Sequence, residues 1–198
     1  MSQTVARPMS VDEFFAWQEK QDVRYELVNG QPVPVHRDHT PRAMAGASNA
    51  HDQVVVNLIS ALRPQLRGTG CTPFSGDGSI ETYPGQIRRP DVGVDCGRRD
   101  PDGYTANEPR IVFEVLSRST RTMDVLQKLE EYKSLASIHT IVFVEPRWAS
   151  VTVSSRTDDG WRVSEYTDLR DEIRFRNPDV ALSLSLVYED VEFPTEPS

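Results

Sequence analysis

Two apolar runs in the middle of this chain each carry one acid where a covered sheet would want none. Pro90-Asp91-Val92-Gly93-Val94 holds Asp91, and Ile111-Val112-Phe113-Glu114-Val115-Leu116-Ser117 holds Glu114. Both runs read as strands. A carboxylate in such a run is costly unless something pairs with it. If Asp91 and Glu114 come from neighbouring strands, their repulsion at about 4 Å and an effective dielectric of about 20 is roughly 4 kcal/mol. A bound divalent cation would turn that repulsion into attraction.

The segment after Glu114 supplies a cation of its own. From Glu114 to Ser117 an extended chain travels about 10 Å at roughly 3.3 Å per residue. Thr120 is a candidate helix cap, and from there to Lys128 a helix returns about 12 Å at roughly 1.5 Å per residue. Lys128 therefore comes back level with Glu114. Val125, Leu129, Tyr132 and Ala136 mark the buried face of this helix, with Lys128 on its flank, one turn after Asp124 and one before Tyr132. A snorkelling lysine reaches the carboxylates from there.

Composition narrows the class. At 198 residues, 37% of them hydrophobic, the chain suits one domain with a substantial core, over 1–189, followed by an acidic tail over 190–198. It lacks an apolar run near the roughly 20 residues of a membrane span, and its first residues do not read as a signal peptide, so the expectation is a cytoplasmic protein without a membrane partner. Cys71 and Cys96 lack CxxC spacing, which predicts two reduced, half-buried strand residues rather than a disulfide or a zinc site. The net charge of −8 argues against a protein that coats nucleic acid nonspecifically. Arginines at 88, 89, 98, 99, 110, 118 and 121 flank the acids in sequence; they read either as phosphate contacts or as solvated loop charges.

Taken in order, the chain opens with a capping box, Ser10 with Glu13, and a hydrophobic staple from Met9 to Phe14, predicting a helix over 11–20. Residues 24–28 and 31–35 flank Asn29-Gly30, the strongest short hairpin signal, and Pro32 and Pro34 place the second strand at an edge. Glu26 shares a face with Arg24 and Val28, and on its own reads as a surface glutamate paired with Arg24 or Arg37. His36 and His39 lie in a loop without a cysteine, which argues against zinc. Ser48 caps a second helix along His51, Val54, Val55, Leu58, Ile59, Leu62 and Leu66, which Pro64 should kink or end. His51 most simply reads as a buried, hydrogen-bonded histidine.

Residues 72–82 and 86–96 predict a second hairpin around Tyr83-Pro84-Gly85. Gly76 and Gly78 lack the Gly-Lys-Ser/Thr of a phosphate loop. The polar loop 97–109 has the length of a functional or mobile segment. Residues 111–117, a helix over 121–135 and 140–145 form a strand-helix-strand unit with parallel strands. A hairpin over 151–156 and 161–167 follows, then a docking segment over 182–188 and a frayed tail from Phe193. The expected class is α/β or α+β, a mixed sheet flanked by helices with extra hairpins.

Arg89-Pro90-Asp91, Glu114-Val115-Leu116-Ser117 with Ser119-Thr120, Asp124 with Lys128 and Tyr132, and Arg24-Tyr25-Glu26-Leu27 with Asn29-Gly30 together resemble the Uma-type family of restriction endonucleases. That family is similar to the wider PD-(D/E)xK nuclease superfamily. The resemblance covers nearly the whole chain and implies a restriction-endonuclease-like core, Mg²⁺ or Mn²⁺ as cofactor, nucleic acid, and DNA in particular, as partner. It implies that Asp91, Glu114 and the Val115 carbonyl ligate the metal. Glu26 becomes a third acid, holding a second metal or a bridging water. The superfamily lysine belongs at position 116, where this chain has leucine, so the resemblance assigns its role to Lys128. His51, Asp124 and Tyr132 border the site. A homodimer is expected if both strands are cut.

Two classes of function follow. One is a metal-dependent phosphodiesterase built on Asp91, Glu114, Lys128 and Glu26. The other is a catalytically degenerate module that keeps the nuclease fold to bind nucleic acid or a protein, which Leu116 and the acidic charge favour. Geometry separates them: the enzyme needs Lys128 and the acids to converge, whereas the module leaves Lys128 in solvent or paired along its helix with Asp124 or Glu131. A serine hydrolase on Ser117 or Ser119 lacks the Gly-x-Ser-x-Gly turn.

Overall fold

The computed structural model describes residues 7–35, 48–117 and 122–193, the last without the side chains of Thr122 and Met123. The loop histidines 36 and 39, the Thr120 cap, and Ser119, Arg118 and Arg121 lie outside the described residues.

Helix α1, Val11–Gln18, starts where its signals say: Ser10 accepts from the Glu13 amide and Glu13 reaches back to the Ser10 amide. It buries Phe14 and Phe15 against strand β1, Tyr25–Val28. Asn29 and Gly30 both adopt positive φ, 52° and 72°, which is the primed turn that joins β1 to β2, Gln31–Pro34. A side chain at Gly30 would also meet Pro8, so glycine is required there twice over. β2 is an edge strand, as its prolines demand.

Helix α2, Asn49–Gln65, is capped by Ser48 and turns Val54, Leu58 and Leu62 inward, ending one residue after Pro64. The expected second hairpin exists but is split between two sheets. Its outer arms, β3 (Thr72–Ser75) and β6 (Val92–Asp95), pair in one sheet; its inner arms, β4 (Ile80–Tyr83) and β5 (Gln86–Arg88), pair in another. The breaks fall at 76–79 and 89–91, so Asp91 sits at the crossing from one sheet to the other. Strand β7, Pro109–Val115, helix α3, Thr122–Ser134, and strand β8, Thr140–Glu145, form the crossover unit, and β7 and β8 are parallel. β9 (Ser150–Thr157) and β10 (Gly160–Tyr166) complete the larger sheet, of order β10-β9-β8-β7-β6-β3, while the smaller runs β2-β1-β5-β4.

The large sheet has a core on each face. On one, Ile111, Phe113 and Val115 of β7 pack with Val142 and Val144 of β8 against α2. On the other, Val112 and Leu116 pack with Ile141, Phe143 and Tyr132 of α3. Side chains alternate along a strand, so Glu114 falls on the α3 face with Val112 and Leu116. Gly93 lies under the Phe74 ring, whose nearest atom would stand 2.1 Å from any Cβ placed there.

Four expectations are corrected. Cys71 and Cys96 form a disulfide rather than standing reduced. The antiparallel register that sets Thr72 opposite Asp95 places each cysteine one position further along, facing the other, which spacing alone does not reveal. Such a bond is uncommon in a reducing compartment. The segment 182–188 is not a lone docking piece: β11 (Glu172–Arg176) and β12 (Asp179–Ser183) form a hairpin whose Ile173, Phe175, Val180 and Leu182 enter the α2 core, followed by α4, Leu184–Val187. Its turn signal was Asn177-Pro178, which is a cis peptide. Phe193 packs on Tyr188 at 5.4 Å between ring centroids instead of fraying. Ala136 lies beyond the end of α3 and is exposed. Among the described residues no helix is long and apolar enough to cross a membrane.

Candidate active site

The register that pairs Val92 with Phe113 puts Asp91, just before β6, opposite Glu114. Residues opposite each other in an antiparallel pair share a face, so the two carboxylates are neighbours, and the Asp91 charge acts on Glu114. Glu114 points toward α3, where Lys128 Nζ lies 3.1 and 3.0 Å from its two oxygens and Tyr132 donates to Oε1 at 2.7 Å. Lys128 has thus returned level with Glu114, as the chain lengths require. Burial, with the charges of Asp91 and Glu26 nearby, pushes the Glu114 carboxyl up to about 7 in spite of Lys128. Burial works against the charge on Lys128, yet the surrounding carboxylates, Glu114 first, raise it above the usual lysine range.

Glu26 is not on the surface. It is 2% exposed, and β1 aims it at the same lysine, Oε1 to Nζ 3.3 Å. Arg88 Nη1 donates to Oε2 at 2.8 Å and the Arg89 amide to Oε1 at 3.1 Å. Burial alone would raise this carboxyl; Lys128 and Arg88 outweigh it and hold Glu26 below the ordinary range. Of its two expected partners, Arg24 pairs with Asp77 instead, and Arg37 lies outside the described residues. Lys128 therefore stands between two buried carboxylates from two different sheets.

Asp91 is bonded to β7 and to α2. Its Oδ2 accepts from the Val115 amide at 2.7 Å, and its Oδ1 lies 3.4 Å from His51 Nε2 at the start of α2. Burial lowers the affinity of this imidazole for a proton, but Asp91, Glu114 and the Val115 carbonyl raise it above the ordinary histidine value. His51 Nδ1 is buried without a hydrogen-bond partner among the described residues.

Hard oxygen donors of this kind fit Mg²⁺ or Mn²⁺ in their chemistry. Among the described residues, however, no three His, Cys, Asp or Glu side chains are gathered as a metal-binding group. Glu114 is occupied by Lys128 and Tyr132. Asp124, a turn before Lys128, adds negative charge to that lysine.

The flanking arginines divide. Arg88 is wholly buried in ion pairs with Glu26 and Glu131, so it is not a phosphate contact. Arg89 donates to the carbonyls of Tyr25 and Asp77, and Arg110 pairs with Glu108. Arg98 and Arg99 are exposed. The loop beyond β6 is tied down: Tyr104 stacks on Phe15 at 4.7 Å, and Asp95 accepts from the amides of Gly97, Asn107 and Glu108.

Sequence reasoning missed the role of Glu131 and Arg88. Arg88 grips Glu131 with two hydrogen bonds, 2.6 Å from Nε and 2.5 Å from Nη2, and Thr82 and Gln127 donate to the same carboxylate. The available signal was helical spacing: Lys128, Glu131 and Tyr132 fall at i, i+3 and i+4, one face of α3.

The chain is similar to the uncharacterized protein slr1290 of Synechocystis sp., 26% identical over 188 residues that cover 93% of this chain and 94% of that protein. Residues 11–187 match the model of the Uma2 family, described as "Putative restriction endonuclease". With that match spanning the described strands and helices, the chain belongs to the Uma2 family.

Proposed function

We propose that the protein is a divalent-metal-dependent endonuclease that hydrolyses phosphodiester bonds in DNA. The observation that carries this reading is the position of Lys128 Nζ, inside the fold and within 3.3 Å of both Glu114 and Glu26 rather than in solvent or paired along its own helix. Leu116 supports it, because it packs on the same face of β7 as Glu114. A lysine at 116 would project toward α3, and here α3 supplies the lysine instead.

Asp91, Glu114 and the Val115 carbonyl would hold the cation, with His51 beside it. Bound Mg²⁺ or Mn²⁺ would supply Lewis acidity toward the phosphoryl oxygen and a more acidic water. Lys128 orients the attacking water or neutralises charge that builds on the phosphate. Tyr132 fixes the Glu114 carboxylate through its 2.7 Å hydrogen bond. Glu26 was the expected ligand of a second metal or bridging water, but with its oxygens engaged by Arg88, the Arg89 amide and Lys128 it is set to hold the lysine. Cutting both strands takes two sites or two events, and a two-fold homodimer supplies the former.

Replacing Asp91 with Asn tests the reading. Nicking of plasmid DNA in Mg²⁺ or Mn²⁺ is expected to vanish while the circular dichroism spectrum stays that of the wild type; unchanged nicking refutes it. The second reading, a module that binds nucleic acid or a protein without cutting it, is favoured by the ungathered metal ligands among the described residues. It predicts DNA binding by the wild type with no nicking in either metal.

A further inference from the structure

Two sheets meet at the candidate site without sharing a strand ladder. The large sheet contributes Glu114, the small sheet contributes Glu26 from β1 and Arg88 from β5, and α3 lies between with Lys128, Glu131 and Tyr132 on one face. What fixes Lys128 relative to Glu26 is therefore not backbone pairing but side-chain bonding. Arg88 is the centre of that bonding. It is fully buried, its planar fork holds both oxygens of Glu131, and its remaining Nη1 holds Glu26 at 2.8 Å. A guanidinium gripped on two sides has one orientation, which a lysine or a water would not enforce.

Stability is a weak reason for such a network. Buried ion pairs are commonly replaced by apolar side chains at no loss of stability, because desolvation offsets their attraction. Here the network joins α3 to β1 at the point where Lys128 must stay between Glu26 and Glu114. Thr82 and Gln127 satisfy further lone pairs of Glu131, so the acid is held from β4 and from its own helix as well.

We propose that Arg88 and Glu131 are positioning residues of the active site: Glu131 orients Arg88, Arg88 holds Glu26, and Glu26 holds Lys128 against Glu114. This inference rests on the nuclease reading for its catalytic consequence, but its geometric content stands apart from it. Neither Arg88 nor Glu131 touches substrate or metal in this scheme.

The test uses the full chain and two readouts. Glu131→Gln keeps the side-chain shape and removes the charge; Arg88→Lys keeps a cation and removes the fork. Gln127→Ala, at an exposed position of α3, removes only one donor from Glu131 and leaves the core intact. The first readout is steady-state cleavage of plasmid DNA with Mn²⁺. Loss of a residue that orients a catalytic group costs roughly ten- to a hundred-fold. That loss is expected in kcat with KM unchanged for Glu131→Gln, and smaller in the same direction for Gln127→Ala. The second is reductive methylation of lysines at one fixed pH, read by peptide mass spectrometry, with Lys133 on the same helix as the internal standard. Labelling of Lys128 is expected to rise in all three variants while that of Lys133 stays constant. Unchanged Lys128 labelling overturns the proposal, as does a parallel rise at Lys128 and Lys133, which would mean general loosening of α3. A rise in KM with kcat intact also overturns it. If the wild type cleaves nothing, the nuclease reading fails on the first readout while the second still decides whether Arg88 and Glu131 hold Lys128.

Discussion

Glu114→Gln should make the protein more stable at neutral pH even as it removes an acid from the candidate site. The folded carboxyl is raised from 4.5 to about 7, with burial the largest cause and the Asp91 and Glu26 charges adding to it. A raised folded value means that the native state holds the proton more tightly than the unfolded chain. The stabilisation is then fully present below pH 4.5 and is lost as pH rises through about 7. At 1.36 kcal/mol per tenfold in affinity, the whole linkage amounts to about 3 kcal/mol, of which about 2.5 kcal/mol falls between pH 5 and pH 8. Glutamine mimics the protonated form, with the Tyr132 hydroxyl still able to donate to its carbonyl, and lacks that dependence. Urea unfolding of both proteins at pH 5, 6, 7 and 8 gives the comparison. Carboxylates remote from position 114 titrate equally in the two and cancel. The unfolding free energy of the wild type should fall by about 2.5 kcal/mol relative to the variant across this range. A relative change below about 1 kcal/mol would refute the reasoning, since it would mean that Lys128 neutralises Glu114 fully and that Asp91 and Glu26 add no net field.

Lys128→Met removes the cation between two buried carboxylates, and a buried charge left without its partner costs about 3–5 kcal/mol. The loss should be largest at pH 8 and smaller at pH 5, where Glu114 is protonated, and thermal unfolding at the two values measures it. Reduction of the Cys71–Cys96 bond, whose closed loop spans a sequence separation of 25, should lower stability by about 3.5 kcal/mol on chain-entropy grounds. Urea midpoints with and without a thiol reductant, and for Cys71→Ser, check this, with the variant expected to match the reduced wild type. Mg²⁺ or Mn²⁺ at a hundred times its dissociation constant should stabilise the wild type by about 2.7 kcal/mol, and Asp91→Asn should show no such shift.

The elements with local causes were legible in the chain. The capping box at Ser10, the turn at Asn29-Gly30, the Ser48 cap and the return of Lys128 to the level of Glu114 all depend on residues within a few positions or on fixed rises per residue, and each is found as read. Period-two alternation likewise dictates that Glu114 and Leu116 share a face. What the chain does not contain is which strand lies beside which. The split of residues 72–96 between two sheets, the cysteine pair that faces across β3 and β6, and the hairpin that covers α2 depend on register and packing between distant segments. Glu26 is the clearest case. Read along the strand it is a surface acid beside Arg24, because alternation says only which neighbours share its face and not what covers that face. The fold lays that face on α3, and a charge placed there must find partners of opposite sign. Arg88 and Lys128 are those partners, brought together by two sheets that meet only in the tertiary structure.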